Sequence, residues 1–158
     1  MYFMLICSDK NQERGVEMPH FSALSRDKLL TCHIDLQTLF NEVIKYFDCS
    51  ILVGYRGEAD QNKAVLEKKS KLKFPLSKHN SMLSMAVDAA PSPLPKWSNI
   101  NDFVYFGGFV MGIAEKLLAE GKITHEIRYG ADWNRNDRLS DDSFQDCVHF
   151  EIYEAKNK

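Results

Sequence analysis

The chain has 158 residues, a length that suits one compact domain and leaves little room for a second. Its 20 basic and 22 acidic residues leave a formal net charge of -2, so no field of one sign points to nucleic acid or an anionic membrane as the partner. Its 44% apolar residues suffice for a core, and its four cysteines, none in a CxxC pair, argue against a zinc knuckle or a disulfide framework.

The first residues, MYFMLIC, are apolar, but they are few, and a charged polar run follows them. A secretory signal has a basic leader and a longer apolar core, so we expect no cleaved signal here. No later stretch approaches the roughly 20 apolar residues of a membrane helix, and we expect no stable membrane insertion. We interpret residues 1–17 as a peripheral N-terminal segment and residues 18–158 as the domain.

Three stretches have the spacing of a helical face and predict helices at residues 31–47, 58–69 and 101–120. The first carries apolar side chains three and one positions apart: Leu36, Leu39, Phe40, Val43, Ile44 and Phe47. The third contains Gly107, Gly108 and Gly112, which weaken a helix unless another element packs closely against them.

Four stretches predict strands, at residues 51–53, 86–90, 125–129 and 147–153. The last alternates apolar and polar side chains, which sends His149 and Glu151 to one face. Helices and strands that follow one another in this order predict an α+β fold, with a small, mostly antiparallel sheet and flanking helices.

A basic stretch follows the second predicted helix. Six lysines lie close together in the sequence: Lys63, Lys68, Lys69, Lys71, Lys73 and Lys78. We interpret them as a solvated loop, because acidic residues elsewhere balance their charge and no aromatic ladder for bases accompanies them. We expect no nucleic-acid partner, although an anionic polymer such as a cell wall fits the cluster equally well.

Asp88 lies inside an apolar strand, where an ionised carboxylate is costly unless something compensates it. Backbone amides or an arginine can hold it as a structural residue, with His79 as a loop histidine, or both residues can bind a metal. Together with His149 they form a set of two imidazoles and one carboxylate. Such a set is typical of catalytic zinc, which keeps an open position for water.

A zinc peptidase also needs a group that carries protons, and Asp146, three residues before His149, is a candidate. The alternative for Asp146 is the capping of a turn. Glu151 is a candidate partner that orients His149. Cys147 is interpreted as a packing residue. The remaining histidines have no partner motif and are expected at surface or satisfied core positions: His20, His33 and His125.

Asp132, Asn134 and Asn136 have the spacing that begins a calcium-binding loop. The sixth position of that loop, which should be glycine, is Asp137, and the twelfth, which should be glutamate, is Ser143. A plain polar turn is therefore the alternative to calcium.

Four blocks of the sequence resemble those of the D-alanyl-D-alanine carboxypeptidase-like zinc peptidases: GYRGEADQ (54–61), SKHNSMLSMAVDAAP (77–91), GADWNRND (130–137) and DCVHFE (146–151). The most similar branch is that of the bacteriophage L-alanyl-D-glutamate peptidase endolysins. The resemblance covers residues 20–153 in the order of the family, and four blocks in register are far more specific than one.

The resemblance implies a hedgehog/DD-peptidase-like single domain with one zinc ion bound by His79, Asp88 and His149. It makes Asp146 the general base and acid, and Arg56 the group that stabilises the oxyanion or the substrate. Three further positions are similar to residues near the substrate cleft: Ser77, Gln61 and Trp133. The loop at residues 80–84 is longer than in the common pattern of the superfamily, and an aspartate in place of a glutamate base resembles the endolysin branch.

The function that the resemblance implies is a zinc-dependent endopeptidase that cuts the L-alanyl-D-glutamate bond of peptidoglycan stem peptides. We expect a monomer that is made in the cytoplasm of an infected bacterium and reaches the wall through a membrane pore. Two alternatives remain. One is a D-alanyl-D-alanine carboxypeptidase or dipeptidase with the same zinc site, and the other is a noncatalytic zinc module that binds the wall.

Overall fold

Four antiparallel strands form the sheet that carries most of the candidate site residues. The structure, a computed structural model, describes residues 19–139, 141 and 144–153. The strands are β1 (Cys49–Val53), β2 (Ala86–Pro91), β3 (Glu126–Tyr129) and β4 (His149–Tyr153), in the spatial order β1-β2-β4-β3. The α-helices are α1 (Ala23–Leu29), α2 (Ile34–Val43), α3 (Glu58–Leu66) and α4 (Ile100–Ala119), and a 3₁₀ turn spans Lys78–Asn80. This α+β architecture confirms the predicted fold class, and the predicted segment 1–17 lies outside the described residues.

Strand β2 is central in the sheet, and all six of its residues are buried. It pairs with β1 on one side and with β4 on the other. This register sets Asp88 opposite Val53 of β1 and opposite His149 of β4. The pairing of the strands therefore brings a carboxylate and an imidazole side by side on the two inner strands, at one end of the sheet.

The predicted apolar face of α2 forms the centre of the core. Its members are fully buried: Leu36, Leu39, Phe40 and Val43. Phe150 of β4 connects this helix with α4, because its ring lies 5.6 Å from that of Phe40 and 6.1 Å from that of Phe106. Burial of these side chains supplies the main driving force for docking both helices on the sheet.

The predicted helix 31–47 was wrong at both ends. His33 precedes α2 as its N-cap, with Nδ1 accepting a hydrogen bond from the Asp35 N–H at 3.2 Å, and the helix ends at Val43. Helix α1 was missed, although Ser22 is a typical N-cap residue and its hydroxyl accepts from the Ser25 N–H at 3.2 Å.

Close packing against a helical glycine is found at one of the three predicted positions. A Cβ atom on Gly107 would lie 2.2 Å from the Tyr129 ring, so this position must be glycine for β3 to approach α4. Gly108 and Gly112 face open space, and nothing lies within 4 Å of an added Cβ there.

None of the helices in the described part of the chain is long and apolar enough to cross a membrane. The cysteines among these residues are buried and free: Cys32, Cys49 and Cys147. Burial raises the pKa of the Cys32 and Cys49 thiols to about 12, so both are protonated packing residues. Cys147 also belongs to the hydrophobic core, as expected from the sequence.

Asp35 ties the start of α2 to the start of β3. Its Oδ2 accepts hydrogen bonds from the backbone N–H groups of Thr124 and His125, at 2.9 and 3.0 Å, and from the His125 ring at 2.8 Å. Burial alone raises the pKa of Asp35, but these hydrogen bonds outweigh burial and hold the pKa below its usual value.

We expect Asp35→Asn to reduce the free energy of unfolding at neutral pH by about 1–3 kcal/mol, because a neutral amide oxygen accepts these bonds more weakly than a charged carboxylate does. The depressed pKa means that the carboxylate stabilises the fold above its ordinary pKa, and that this contribution is lost as pH falls through the folded value. Urea unfolding at several pH values measures the difference, which should shrink in acid. Asp27→Asn, on the exposed surface of α1, is the control; an equal effect of both substitutions contradicts this account.

Candidate metal centre and active site

Three donor atoms from distant parts of the chain converge at one end of the sheet. His79 Nε2 lies 3.2 Å from Asp88 Oδ1 and 3.3 Å from His149 Nδ1, and the last two atoms are 3.0 Å apart. The three side chains are buried and come from the 3₁₀ turn, β2 and β4. Ligands that each lie about 2 Å from one tetrahedral ion have this mutual spacing. The group can therefore hold a divalent metal ion.

The outer nitrogen of each imidazole has an acceptor, and this orients both rings. His79 Nδ1 lies 2.8 Å from the Gly54 carbonyl oxygen, and His149 Nε2 lies 3.1 Å from Glu151 Oε2. With the outer nitrogens turned to these acceptors, His79 Nε2 and His149 Nδ1 both face the centre, where they can release a proton and coordinate an ion. Such outer partners are typical of metal-bound histidines.

Glu151 is held as an anion behind His149. Its Oε1 accepts from the Arg128 guanidinium, with Nε at 3.0 Å, and lies 3.5 Å from Lys78 Nζ. Burial alone raises the pKa of Glu151, but His149, Arg128 and Lys78 outweigh burial and lower it to about 2. The side chain is thus a permanent acceptor for the outer N–H of His149, the role that the sequence proposed for it.

Asp88 has the compensation that a buried carboxylate needs. Besides the two imidazoles on Oδ1, its Oδ2 lies 3.3 Å from Arg56 Nη2. Burial raises the pKa of Asp88, but the charges and hydrogen bonds of His79 and His149 outweigh burial, and the pKa lies well below its usual range. The sequence left two interpretations of Asp88 open: a structural carboxylate held by an arginine, or a metal ligand beside histidines. The structure has both kinds of partner next to Asp88.

A capping box fixes the backbone around His79. The Ser77 hydroxyl accepts from the His79 N–H at 3.3 Å, and Asn80 Oδ1 accepts from the Ser77 N–H at 3.0 Å. Asn80 also donates to the Arg56 carbonyl at 2.7 Å, and the Arg56 N–H donates to the His79 carbonyl at 2.8 Å. Asn80 was missed from the sequence, although the spacing of Ser77 and Asn80 fits such a box.

Gly54 is the second residue that sequence analysis missed. A Cβ atom at this position would lie 2.3 Å from both the Lys28 carbonyl oxygen and the Thr31 hydroxyl, so only glycine fits between α1 and the end of β1. Its carbonyl then reaches His79 Nδ1. The feature of the sequence that could have identified Gly54 is its position directly after a predicted strand.

Asp146 and Trp133 lie beside the centre. Both line a pocket of about 300 Å³, together with Phe144, and the Trp133 ring lies 5.5 Å from the His149 ring. Burial, and next to it the charge of Asp88, raise the pKa of the Asp146 carboxyl above its usual value. A carboxyl group with a raised pKa in a cleft is suited to accepting and returning a proton.

Gln61 is fully buried, so its contacts are with the protein. Its Oε1 accepts from Arg56 Nη1 and Asn80 Nδ2, each at 3.3 Å, and its Nε2 donates to the Ser70 hydroxyl at 2.9 Å and the Leu72 carbonyl at 2.5 Å. The residue named from the sequence as near the substrate therefore links Arg56 to the basic stretch.

A second group with the same composition, His33, Asp35 and His125, lies elsewhere in the fold. His33 Nδ1 caps α2, and the His125 ring is hydrogen-bonded to an Asp35 oxygen that already accepts from two backbone N–H groups. These bonds give each histidine a partner in the fold and occupy one nitrogen of each ring. The geometry favours the first group as the metal centre, because its three donor atoms lie within 3.3 Å of one another.

The turn at residues 132–137 contains the predicted calcium ligands. Asp132 Oδ1 and Asn134 Oδ1 accept from the Asn136 N–H, each at 3.1 Å, and Asn136 Oδ1 accepts from the Arg138 N–H at 3.0 Å. These hydrogen bonds give each of the three side chains a role in holding a polar turn. Ser143 lies outside the described residues, and calcium binding stays a prediction that titration with Ca²⁺ can test.

Comparison with known proteins adds two findings. A family model described as phage L-alanyl-D-glutamate peptidase matches residues 18–153. A crystal structure of the Serratia marcescens L-Ala D-Glu endopeptidase ChiX is similar in fold, with a TM-score of 0.64 and 21% sequence identity over 89% of this chain and 94% of that chain. No curated protein sequence gives a significant match.

We expect His149→Ala to abolish metal binding, whereas His125→Ala, a matched loss of one imidazole from the other group, should retain it. Losing a ligand should weaken affinity by more than the roughly 10–100-fold that removal of a supporting hydrogen bond costs. Metal content after dialysis against Zn²⁺ measures the difference, with circular dichroism as the control for folding. Equal losses in the two variants contradict the assignment.

Proposed function

The chain belongs to the phage L-alanyl-D-glutamate peptidase family, and we propose that it is a zinc-dependent peptidoglycan endopeptidase. It hydrolyses the bond between L-alanine and D-glutamate in stem peptides, with Zn²⁺ held by His79, Asp88 and His149. The observation that carries the proposal is the convergence of three donor atoms within 3.3 Å, with one nitrogen of each imidazole directed at the same point.

The donor set fits zinc in particular. Two imidazoles and one carboxylate are a common set for catalytic zinc, and three protein ligands leave one position open. Bound there, Zn²⁺ polarises the scissile carbonyl and lowers the pKa of a water molecule. Glu151 and the Gly54 carbonyl keep the two rings oriented for this task.

Asp146 is the proposed general base and acid. It accepts the proton of the attacking water and returns it to the amine that leaves. Its raised pKa brings the carboxyl closer to neutrality, where both proton transfers are efficient. Backbone hydrogen bonds fix its segment, since the Asp146 N–H donates to the Gly130 carbonyl at 2.8 Å and its carbonyl accepts from the His149 N–H at 3.1 Å.

Arg56 is the proposed electrostatic partner. Its guanidinium lies 3.3 Å from Asp88 and is half-buried, so its charge acts in a medium where electrostatic interactions are stronger than in water. An arginine stays charged at every pH of interest and can stabilise negative charge that develops on the scissile carbonyl oxygen. Gln61 holds the other side of the guanidinium, at 3.3 Å from Nη1.

The route to the wall and the assembly state are also proposals. We propose a monomer that acts on bacterial peptidoglycan from inside an infected cell, after a membrane pore admits it to the wall. The support is the match to a family of phage peptidases. Size-exclusion chromatography with light scattering tests the monomer, and lysis of cells with and without permeabilised membranes tests the route.

Purified protein should solubilise bacterial cell walls, lose this activity to a chelator and regain it with Zn²⁺. Mass spectrometry of the released fragments identifies the bond: new L-alanine carboxyl ends and D-glutamate amino ends support the proposal. Free D-alanine would instead indicate the carboxypeptidase alternative. Walls left intact by protein at full zinc occupancy would indicate a noncatalytic module.

We expect Asp146→Asn to lower kcat by about 10²–10⁴-fold while Zn²⁺ stays bound, because an amide cannot carry the proton. Asp137→Asn is a matched control that removes one negative charge from an exposed residue of the neighbouring turn. Kinetics on a soluble stem peptide and metal analysis of the same samples provide the two measurements. Activity of Asp146→Asn near that of wild type contradicts the role of Asp146.

A further inference from the structure

The pocket beside Asp146 has one basic wall. Lys68, Lys69 and Lys71 line it on one loop, and Trp133 and Phe144 supply aromatic surface. The sequence led us to interpret these lysines as part of a solvated loop. The structure places the three, which we call the lysine wall, at the same cavity as the proposed proton carrier.

Two of the three ammonium groups are available to an anion. Lys69 forms an ion pair with Glu67 at 2.6 Å. Neither Lys68 nor Lys71 forms an ion pair with a carboxylate of the described residues, and the Lys71 ammonium lies 4.3 Å from the centre of the Phe144 ring. The pocket therefore combines aromatic surface with two ammonium groups that no carboxylate of the described residues pairs, a combination that suits a ligand with a short aliphatic part and a carboxylate.

Hydrogen bonds tie the loop that carries the lysine wall to α3 and, through Gln61, to the metal centre. The Ser70 N–H and the Lys69 N–H both donate to the Ala64 carbonyl, at 3.1 and 2.8 Å, which anchors the loop to the end of α3. Gln61 then connects Ser70 with Arg56, whose guanidinium contacts Asp88. A loop anchored in this way can position charges for recognition, which a free loop does at greater cost in entropy.

We propose that this pocket is the subsite for the acidic residue that follows the scissile bond, with Lys68 and Lys71 binding its free carboxylate. The inference rests on the proposed function. If Asp146 returns a proton to the leaving amine, the residue that carries this amine must lie next to Asp146, which lines the pocket. In an L-alanyl-D-glutamate bond that residue is glutamate, which keeps one carboxylate when the chain continues through its other carboxyl group. Its methylenes pack on Trp133 and Phe144.

Two synthetic stem peptides that differ only in this group, carboxylate or carboxamide, test the subsite. Wild type should cleave the carboxylate peptide about tenfold more efficiently, mainly through KM, because a charge-assisted hydrogen bond is lost with the amide. The double variant Lys68→Gln/Lys71→Gln should lose this preference, and Lys68→Arg/Lys71→Arg should keep it. Lys63→Gln/Lys73→Gln, which also removes two exposed charges but outside the pocket, is the matched control and should keep the preference.

A binding experiment makes the test independent of cleavage. Calorimetry measures the affinity of two leaving fragments whose N-terminal glutamyl residue carries this group either as a free carboxylate or as a carboxamide. The free fragment should bind wild type about tenfold more tightly than the amidated one, and the lysine double variant should bind both alike. If wild type cleaves neither peptide, the proposed function fails while the binding data still decide the subsite. Equal binding of both fragments to wild type overturns the subsite, as does a preference that survives in the double variant.

Discussion

The structure depends on keeping one buried carboxylate ionised on an inner strand of its sheet. Asp88 is buried on the central strand, where a lone charge would shift its pKa or destabilise the fold by several kcal/mol. Two imidazoles and a guanidinium compensate it, and each of these has its own support: the Gly54 carbonyl for His79, Glu151 for His149 and Gln61 for Arg56. Replacing any member leaves another buried polar group without a partner, so the site and the fold are coupled.

Much of this arrangement could be predicted from residue types and periodicity. The short apolar strand around Asp88 and the alternation that places His149 and Glu151 on one face were visible in the sequence, and the structure has both strands. The core face of α2 was equally visible, because helical spacing of large apolar residues reports burial directly. Each of these features depends on the order of apolar and polar residues over a short stretch, and this order can be read directly from the sequence.

The remaining features depend on contacts between distant segments. Gln61 is fully buried because the loop at residues 70–72 approaches it, and His125 has Asp35 as its partner because the start of α2 lies beside the residues that precede β3. Helix α2 begins later than the predicted helix because His33 caps it. The backbone carbonyl of Gly54 is a functional group that no side-chain pattern reveals. None of these pairings can be predicted from the residue types alone.

The two groups of histidine and aspartate show why composition does not define a metal centre. Both contain two imidazoles and one carboxylate. In the group of Asp35, backbone N–H groups donate to Oδ2 of the carboxylate and one ring nitrogen caps a helix, so these donor atoms already serve the fold. In the group of Asp88, the outward nitrogens are bound by a carbonyl and by Glu151, so both inner nitrogens face the carboxylate and can release a proton to coordinate an ion. Acceptors outside the group, rather than the ligands themselves, separate a structural cluster from one that can hold a metal.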